Sequence, residues 1–337
     1  MFRALGYGHR YVISHFWTHN PILLTHSLTS KCNCRCKICY IWREKNSADE
    51  MKTHEIFKML DEARRLNFVA YLAFGGEPLM RPDALDVLKH AHDLGLYTSI
   101  VTNGTHLPDK AEEIAKVVDL TWVSLDYYSD YHDEMRGLKG AFDSAMEGIM
   151  KLRKEDGKIA INCVLSKLNA NAVGKMAELA KDLRVKLAFD PMEIFPGTNE
   201  EYALSHSECR RLFSEVLELK KRGYPILNSY EFLKNLINPM EYSCAQPRVF
   251  IKVYENGEIA PFWCQRNNRV FGNLCNQGLG DVIRSAPFKE FAKMANVCNF
   301  CKNSSTVEVS MFYSHQRFLR NCFKIPNPIV EFIAAYI

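Results

Sequence analysis

With 337 residues, 47% of them apolar, the chain is long enough to bury the core of one large α/β domain and of a smaller one beside it. Its 43 basic and 39 acidic side chains leave a formal charge of +4 and form no basic block, which argues against a nucleic-acid binder. Twelve cysteines are too few for a small disulfide scaffold and fall at metal-like spacings, so a reducing, cytoplasmic setting is expected.

Residues 1–21 carry aromatic and basic side chains (Phe2, Arg3, Arg10, Tyr11, Phe16, Trp17) without an apolar run long enough for a signal peptide or a membrane span. From Ile22 to about Arg222, short β-rich runs alternate with helical periodicity, the mark of parallel βα units. Strands are expected at Ile22–Leu28, Phe68–Phe74, Tyr97–Thr102, Asp119–Leu125, Lys158–Leu165 and Val185–Phe189. The helices between them each bury one face. Those faces are Ile56, Leu60 and Ala63; then Ala84, Val87, Leu88 and Ala91, stopped at Gly95; then Ala111, Ile114, Ala115 and Val118 behind Pro108. Phe142, Ala145, Ile149 and Leu152 mark the fourth, and Val173, Met176, Ala177 and Ala180 the fifth. Ser205 and Glu208 form a capping box for the sixth, which turns Leu212, Val216 and Leu219 inward. Six units make a partial (β/α)6 TIM-like barrel over residues 22–222, an architecture that gathers chemistry at the C-terminal ends of its strands.

Beyond a looser region from Gly223 to Glu241, residues 223–310 read as a small cysteine-rich α+β domain. Val249 to Ala260 forms a β-hairpin turning at Asn256-Gly257, with Cys244 before it and Cys264 after it. A helical stretch follows Leu279-Gly280-Asp281-Val282-Ile283 and ends at Cys298-Asn299-Phe300-Cys301. The segment 311–337 finishes in an apolar run, Ile329 to Ile337, too short to cross a bilayer. Apolar ends of this kind dock on their own domain or lie on a membrane surface; docking is the commoner fate.

The stretch that organises the chain is Cys32 to Cys39, directly after the first strand. Cys32, Cys36 and Cys39 have the spacing C-x3-C-x2-C, so one loop can wrap three thiolates around an iron–sulfur cube and leave one iron open. A reactive metal site needs such a vacancy, whereas a structural one is closed. On spacing alone, chance clustering or half of a zinc site remains as the alternative. Gly75-Gly76-Glu77-Pro78 then follows the second strand, and its two glycines let backbone approach a bound ligand closely. Val101-Thr102-Asn103-Gly104, Ser124-Leu125-Asp126, His132-Asp133, Arg136-Gly137 and Gly140-Ala141-Phe142 come next in order.

Together, across residues 22 to 305, these motifs resemble the radical S-adenosylmethionine (SAM) superfamily. The resemblance implies a [4Fe-4S] cluster held by Cys32, Cys36 and Cys39, with SAM on its open iron. It implies that SAM is reductively cleaved to a 5′-deoxyadenosyl radical, which takes hydrogen from an unactivated C–H bond. By the same resemblance Gly75, Gly76 and Glu77 face the methionine amino group, and Ser124 and Asp126 meet the ribose hydroxyls, with Asn103 a further candidate. Arg136 meets the methionine carboxylate, a contact suited to a guanidinium, or else forms a surface salt bridge. Ile38 stands where the family usually has an aromatic residue near the adenine, Tyr40 being the nearest aromatic. Cys34 is expected to turn away, and Cys163 and Cys209 to be small core residues.

The later cysteines resemble the auxiliary-cluster domains called SPASM or twitch. One auxiliary [4Fe-4S] cluster on Cys244, Cys264, Cys298 and Cys301 is the expectation, with structural zinc as the alternative and Cys275 and Cys322 as core thiols or substitute ligands. Relatives of this kind imply a peptide or protein substrate and an electron donor such as ferredoxin or flavodoxin. The runner-up substrate is a lipid or isoprenoid-derived molecule met at a membrane surface by a peripherally attached protein. A non-enzymatic zinc or iron–sulfur binding protein is the remaining class.

Overall fold

The computed structural model describes residues 20–43, 49–261, 264 and 269–313, with isolated positions at 7, 9, 10, 13, 14 and 18. The β-rich runs become β1 (Leu23–Thr29), β2 (Ala70–Gly75), β3 (Tyr97–Thr102), β4 (Leu120–Ser124), β5 (Ile159–Leu165) and β6 (Lys186–Pro191). No strand end moves by more than two residues from its expected place. Each strand pairs in parallel with the next, and β1, flanked on both sides, is buried along its whole length. This is the partial TIM-like barrel expected for a (β/α)6 chain.

The connecting helices are α1 (Thr53–Arg65), α2 (Ala84–Asp93), α3 (Leu107–Val117), α4 (Tyr131–Arg136), α5 (Ala141–Lys154), α6 (Val173–Asp182) and α7 (His206–Lys221). Their buried faces carry the predicted residues: Ile56, Leu60 and Ala63 on α1, Val173, Met176, Ala177 and Ala180 on α6, Leu212, Val216 and Leu219 on α7. The Ser205–Glu208 capping box closes at the start of α7. Gly95 leaves α2 in the left-handed conformation.

The region from Gly223 to Glu241 is not loose, because α8 (Tyr230–Ile237) occupies it, capped by the Ser229 hydroxyl and burying Phe232, Leu233 and Leu236 against α7. After α9 (Gln246–Val249), the hairpin β7 (Phe250–Val253) and β8 (Glu258–Ala260) turns at Gly257, whose φ is 83°. β7 lies parallel to β1, so the hairpin and β9 (Gly272–Asn273) continue the barrel sheet in the order β6-β5-β4-β3-β2-β1-β7-β8-β9. α10 (Leu279–Arg284) and α11 (Ala286–Ala295) follow, with the N–H groups of Leu279 and Gly280 bonded to the Glu62 carboxylate of α1.

The last described helix, α12 (Ser304–Tyr313), is buried at Thr306 and at every position from Val307 to Met311. It spans from β6, where Asp190 accepts from the Ser304 N–H and hydroxyl, to the segment before β7, where the Ala245 N–H donates to Ser310 Oγ. Tyr7 and Arg10 pack at the foot of β3, on Tyr97 and the Gly95 carbonyl, the end of the barrel away from the cysteine loop. Among the described residues no helix is long and apolar enough to cross a membrane. Phe2, Arg3, Tyr11, Phe16, Trp17, Cys322 and the run Ile329–Ile337 lie outside the described residues.

Candidate active site

The cysteine loop leaves β1 and is fastened by the loops of its neighbours. After β2, the N–H groups of Gly76 and Glu77 bond the carbonyls of Thr29 and Lys31, both at 2.8 Å. This approach requires glycine: a Cβ on Gly76 would lie 2.2 Å from the Lys31 carbonyl oxygen, and Gly75 has φ 126°. After β4, α4 docks on the loop, the N–H groups of Arg35 and Lys37 bonding the carbonyls of Arg136 and Met135. After β6, the buried Asn199 side chain donates to the Ile38 carbonyl at 2.8 Å and to the Glu193 carbonyl at 3.0 Å.

Glu77 is completely buried, and burial pushes its carboxyl up to about 7. It accepts from the Asn103 N–H (2.7 Å), the Thr102 hydroxyl (2.8 Å) and the Leu79 N–H (3.1 Å), so it ties the turn after β2 to the end of β3. Asn103 in turn donates to Asn33 Oδ1 at 2.8 Å and to Cys34 Sγ at 3.3 Å. Cys34 therefore does not turn away. It is 1% exposed, its N–H donates to Cys32 Sγ at 3.4 Å, and the neighbouring thiols of Cys32 and Cys36 drive its own thiol far up. The Cys34 thiol beside it lowers Cys36 to about 6, Arg136 helping, and lowers Cys32 as well; burial raises Cys39 to about 11.

Asp126 and Arg136, which the resemblance sends to different parts of SAM, are bound to each other at 2.7 Å, both deep in the rim. The Arg136 pairing is a buried one, not the surface salt bridge weighed as its alternative. Asp126 also accepts from the Val164 N–H and donates its own N–H to His132 Nδ1. Arg136 reaches Cys36 Sγ at 3.8 Å. Asp133 accepts from the N–H groups of Gly140 and Phe142, so the His132-Asp133 and Gly140-Ala141-Phe142 motifs are halves of one turn. Ser124 closes β4, half-buried, two residues before Asp126.

The structure thus brings Cys32, Cys36, Cys39, Gly75, Gly76, Glu77, Asn103, Asp126 and Arg136 to one rim. The donor set fits an iron–sulfur cube: three soft thiols on one loop, two of them biased toward thiolate. A second observation agrees, since Arg136 keeps a buried Nε–H without a hydrogen-bond partner among the described residues, a donor for a bound anion. Sequence reasoning missed Asn199, which had no local signal, gave Thr102 no role although it lies in the Val101-Thr102-Asn103-Gly104 motif, and expected Cys34 to turn away.

The later cysteines also gather. The Cys244 N–H donates to the Cys298 carbonyl at 2.9 Å, and the Tyr242 hydroxyl donates to the Cys301 carbonyl at 2.7 Å. Burial raises Cys244 to about 11 and Cys301 to about 12, with Cys264 and Cys298 adding to the rise at both. Cys275 stands apart and exposed beside the hairpin turn, its thiol toward the Asn256 carbonyl. Among the described residues, no three His, Cys, Asp or Glu groups close on a point the size of one ion. The fit of either set to a cube rests on donor chemistry and shared loops.

A barrel rim that joins an open three-cysteine loop to a double-glycine turn is the site of a radical SAM protein, and residues 26–180 match the family model of the Radical SAM superfamily. Residues 26–180 thus carry a Radical SAM domain. It is 36% identical over 212 residues to the AdoMet-dependent heme synthase of Methanosarcina barkeri, covering 61% of this chain and 60% of that one. The Fe-coproporphyrin III synthase of the same organism is 27% identical over 268 residues, with 76% and 65% covered. A PqqA peptide cyclase of Methylocella silvestris is 30% identical over 176 residues, with 50% and 47% covered. The chain thus spans less than two thirds of the length of these curated relatives. Streptococcus suis SuiB bound to S-adenosylmethionine shares the fold, with a TM-score of 0.69 at 18% identity over 85% of this chain and 72% of SuiB.

Proposed function

We propose that this chain cleaves SAM reductively and abstracts a hydrogen atom from a carboxylated porphyrin. The chemistry is carried by one observation: the cysteine loop is locked by hydrogen bonds to the Gly75-Gly76-Glu77 turn and to Arg136. When bound, the [4Fe-4S] cluster and SAM supply a 5′-deoxyadenosyl radical that attacks an unactivated C–H bond. Cys32, Cys36 and Cys39 hold the cube. Gly75 and Gly76 give the methionine end of SAM a backbone wall, with Glu77 shaping it from beneath. Arg136 puts a guanidinium beside Cys36 and the SAM carboxylate, and Asp126 holds that guanidinium in place. Ser124 and Asn103 complete the ribose side.

Cys244, Cys264, Cys298 and Cys301 hold an auxiliary [4Fe-4S] cluster, and an external donor such as ferredoxin or flavodoxin supplies the electron. The porphyrin assignment follows the relative of 36% identity and the Fe-coproporphyrin III synthase. A peptide substrate is the second reading, favoured by the PqqA peptide cyclase at 30% identity. The lipid alternative rests on terminal segments that lie mostly outside the described residues.

The test is anaerobic reconstitution with iron and sulfide, reduction with SAM, and assay of 5′-deoxyadenosine with Fe-coproporphyrin III or peptide added. Porphyrin-stimulated product with a change in porphyrin mass is expected. Stimulation by peptide alone would transfer the assignment to the second reading. A well-formed, reducible cluster with no product under any condition would leave a cluster-binding protein.

A further inference from the structure

The cysteine loop carries a cationic outer surface. Residues 31–43 hold Lys31, Arg35, Lys37 and Arg43 and no Asp or Glu, in a chain whose basic and acidic side chains otherwise nearly balance. Lys31, Arg35 and Arg43 are exposed. Among the described residues, the ion pair on this stretch is that of Lys37 with Glu134 of α4, at 3.7 Å, so three of the four cations meet no carboxylate.

The two guanidiniums are held in place. Arg35 Nη1 donates to the carbonyls of Cys32 and Cys34 at 2.7 and 2.9 Å, and Arg43 Nη2 donates to that of Lys37 at 2.9 Å. Between them stands Trp42, brought back over the loop by one turn of 3-10 helix, Ile41–Arg43. Its ring centre lies 5.6 Å from the Arg35 guanidinium and 4.8 Å from that of Arg43, and its Nε1–H donates to the Cys36 carbonyl at 2.9 Å. Arg35 and Trp42 therefore grip the loop by its carbonyls, whereas Asn103 and Arg136 meet its thiols.

This arrangement differs from an ordinary solvated charge run. A guanidinium has five N–H donors, and these bonds occupy one nitrogen of each, so donors for carboxylates remain on both. Side chains already ordered lose less entropy when a partner arrives, and Trp and Arg are the residues that most often anchor interfaces. A cube on this loop takes its electron from outside, and electron transfer weakens steeply with distance, so a protein carrier has to dock where the ligating cysteines lie closest to solvent. Complexes of that kind are small and steered by charge.

We infer that the face formed by Arg35, Trp42 and Arg43 is the docking surface for an acidic electron-transfer protein, the guanidiniums pairing with its carboxylates around Trp42. The inference rests on the radical SAM reading of the rim and assigns the electron donor its place on that site.

The test is stopped-flow reduction of the reconstituted protein by photoreduced flavodoxin, by photoreduced ferredoxin and by dithionite, without SAM or porphyrin. The phase to follow is the loss of cluster absorbance that Cys36→Ala lacks. Its rate with a protein carrier should fall steeply as salt rises, and by about tenfold in Arg35→Gln/Arg43→Gln, with dithionite rates unchanged. Trp42→Leu should give a smaller loss, and Lys31→Gln, whose side chain bonds no carbonyl of the loop, a smaller one still; iron content reports folding. Equal carrier rates in wild type and the double variant would overturn the surface. So would an equal loss with dithionite, which would mean that the guanidiniums only balance the charge of the cube, or reduction of wild type by dithionite and by neither carrier. Slowing of the carrier by Fe-coproporphyrin III would give the face to the substrate instead. A protein without the Cys36-dependent phase would fail the radical SAM reading and this surface with it, whereas absence of 5′-deoxyadenosine or of porphyrin turnover leaves the docking result standing.

Discussion

The two cysteine sets are held in opposite ways. Around Cys32, Cys36 and Cys39, backbone and side-chain hydrogen bonds arrive from the loops after β2, β3, β4 and β6, and a buried guanidinium sits beside one thiol. Around Cys244, Cys298 and Cys301 the polar ties among the described residues include the Cys244–Cys298 backbone bond, the Cys298 N–H on the Ala295 carbonyl and the Tyr242 hydroxyl, and burial raises Cys244 and Cys301. The first loop is shaped by loops of the barrel that lower two of its three thiols, whereas Cys39, Cys244 and Cys301 are all raised by burial and need a metal to draw their protons off.

The sharpest way to break this comparison is Cys36→Ala, which should abolish 5′-deoxyadenosine formation; undiminished product would remove the loop from the chemistry. Next, Cys298→Ala should lose roughly half of the bound iron and loosen the region after β7. Unchanged iron in that variant would mean zinc or no metal at the second set. Arg136→Met strands the Asp126 carboxylate and should cost about 3–5 kcal/mol in urea unfolding, with part restored in Arg136→Met/Asp126→Asn; additive losses would deny the pair.

Glu77 gives a pH signature confined to the first set. Its carboxyl is raised from 4.5 to about 7 in the fold, so below 4.5 it is protonated in both states and contributes nothing. As pH climbs from there to about 7 the unfolded chain releases the proton first, and stability falls, by about 3 kcal/mol at most. Urea titrations of the SAM-free protein at pH 5 and pH 8 should show this fall, and Glu77→Gln should lessen it, the remainder coming from Asp126, Asp190 and Glu308, whose carboxyls burial also raises. The smallest effect is expected from Asn199→Ala, about 1–3 kcal/mol, from two lost carbonyl partners. Protection of the Cys39 amide from hydrogen exchange should drop in that variant.

Much of this was legible because local pattern and tertiary demand agree. The capping box at Ser205 and Glu208, the Asn256-Gly257 turn and the alternating strand runs carry their own stereochemistry, and all appear in the fold. α8 was legible too, in Ser229 followed by Phe232, Leu233 and Leu236, but lay between longer signals. The pairing of Asp126 with Arg136 and the reach of Asn199 to Ile38 join residues from separate loops, and no periodicity encodes such contacts. α12 is a different case: it buries polar residues, Thr306, Glu308 and Ser310, together with Val307, Val309 and Met311, so the alternation of apolar and polar faces that reveals surface helices vanishes.

α12 and β7 also decide how the molecule can be taken apart. Residues 22–222 contain every βα unit, yet a fragment ending there would bare the outer edge of β1 and open the seam that α12 fills between β6 and the segment before β7. An unpaired apolar strand edge is a template for association with other chains. Such a fragment should self-associate, and in the intact chain the barrel and its C-terminal extension should melt as one cooperative unit.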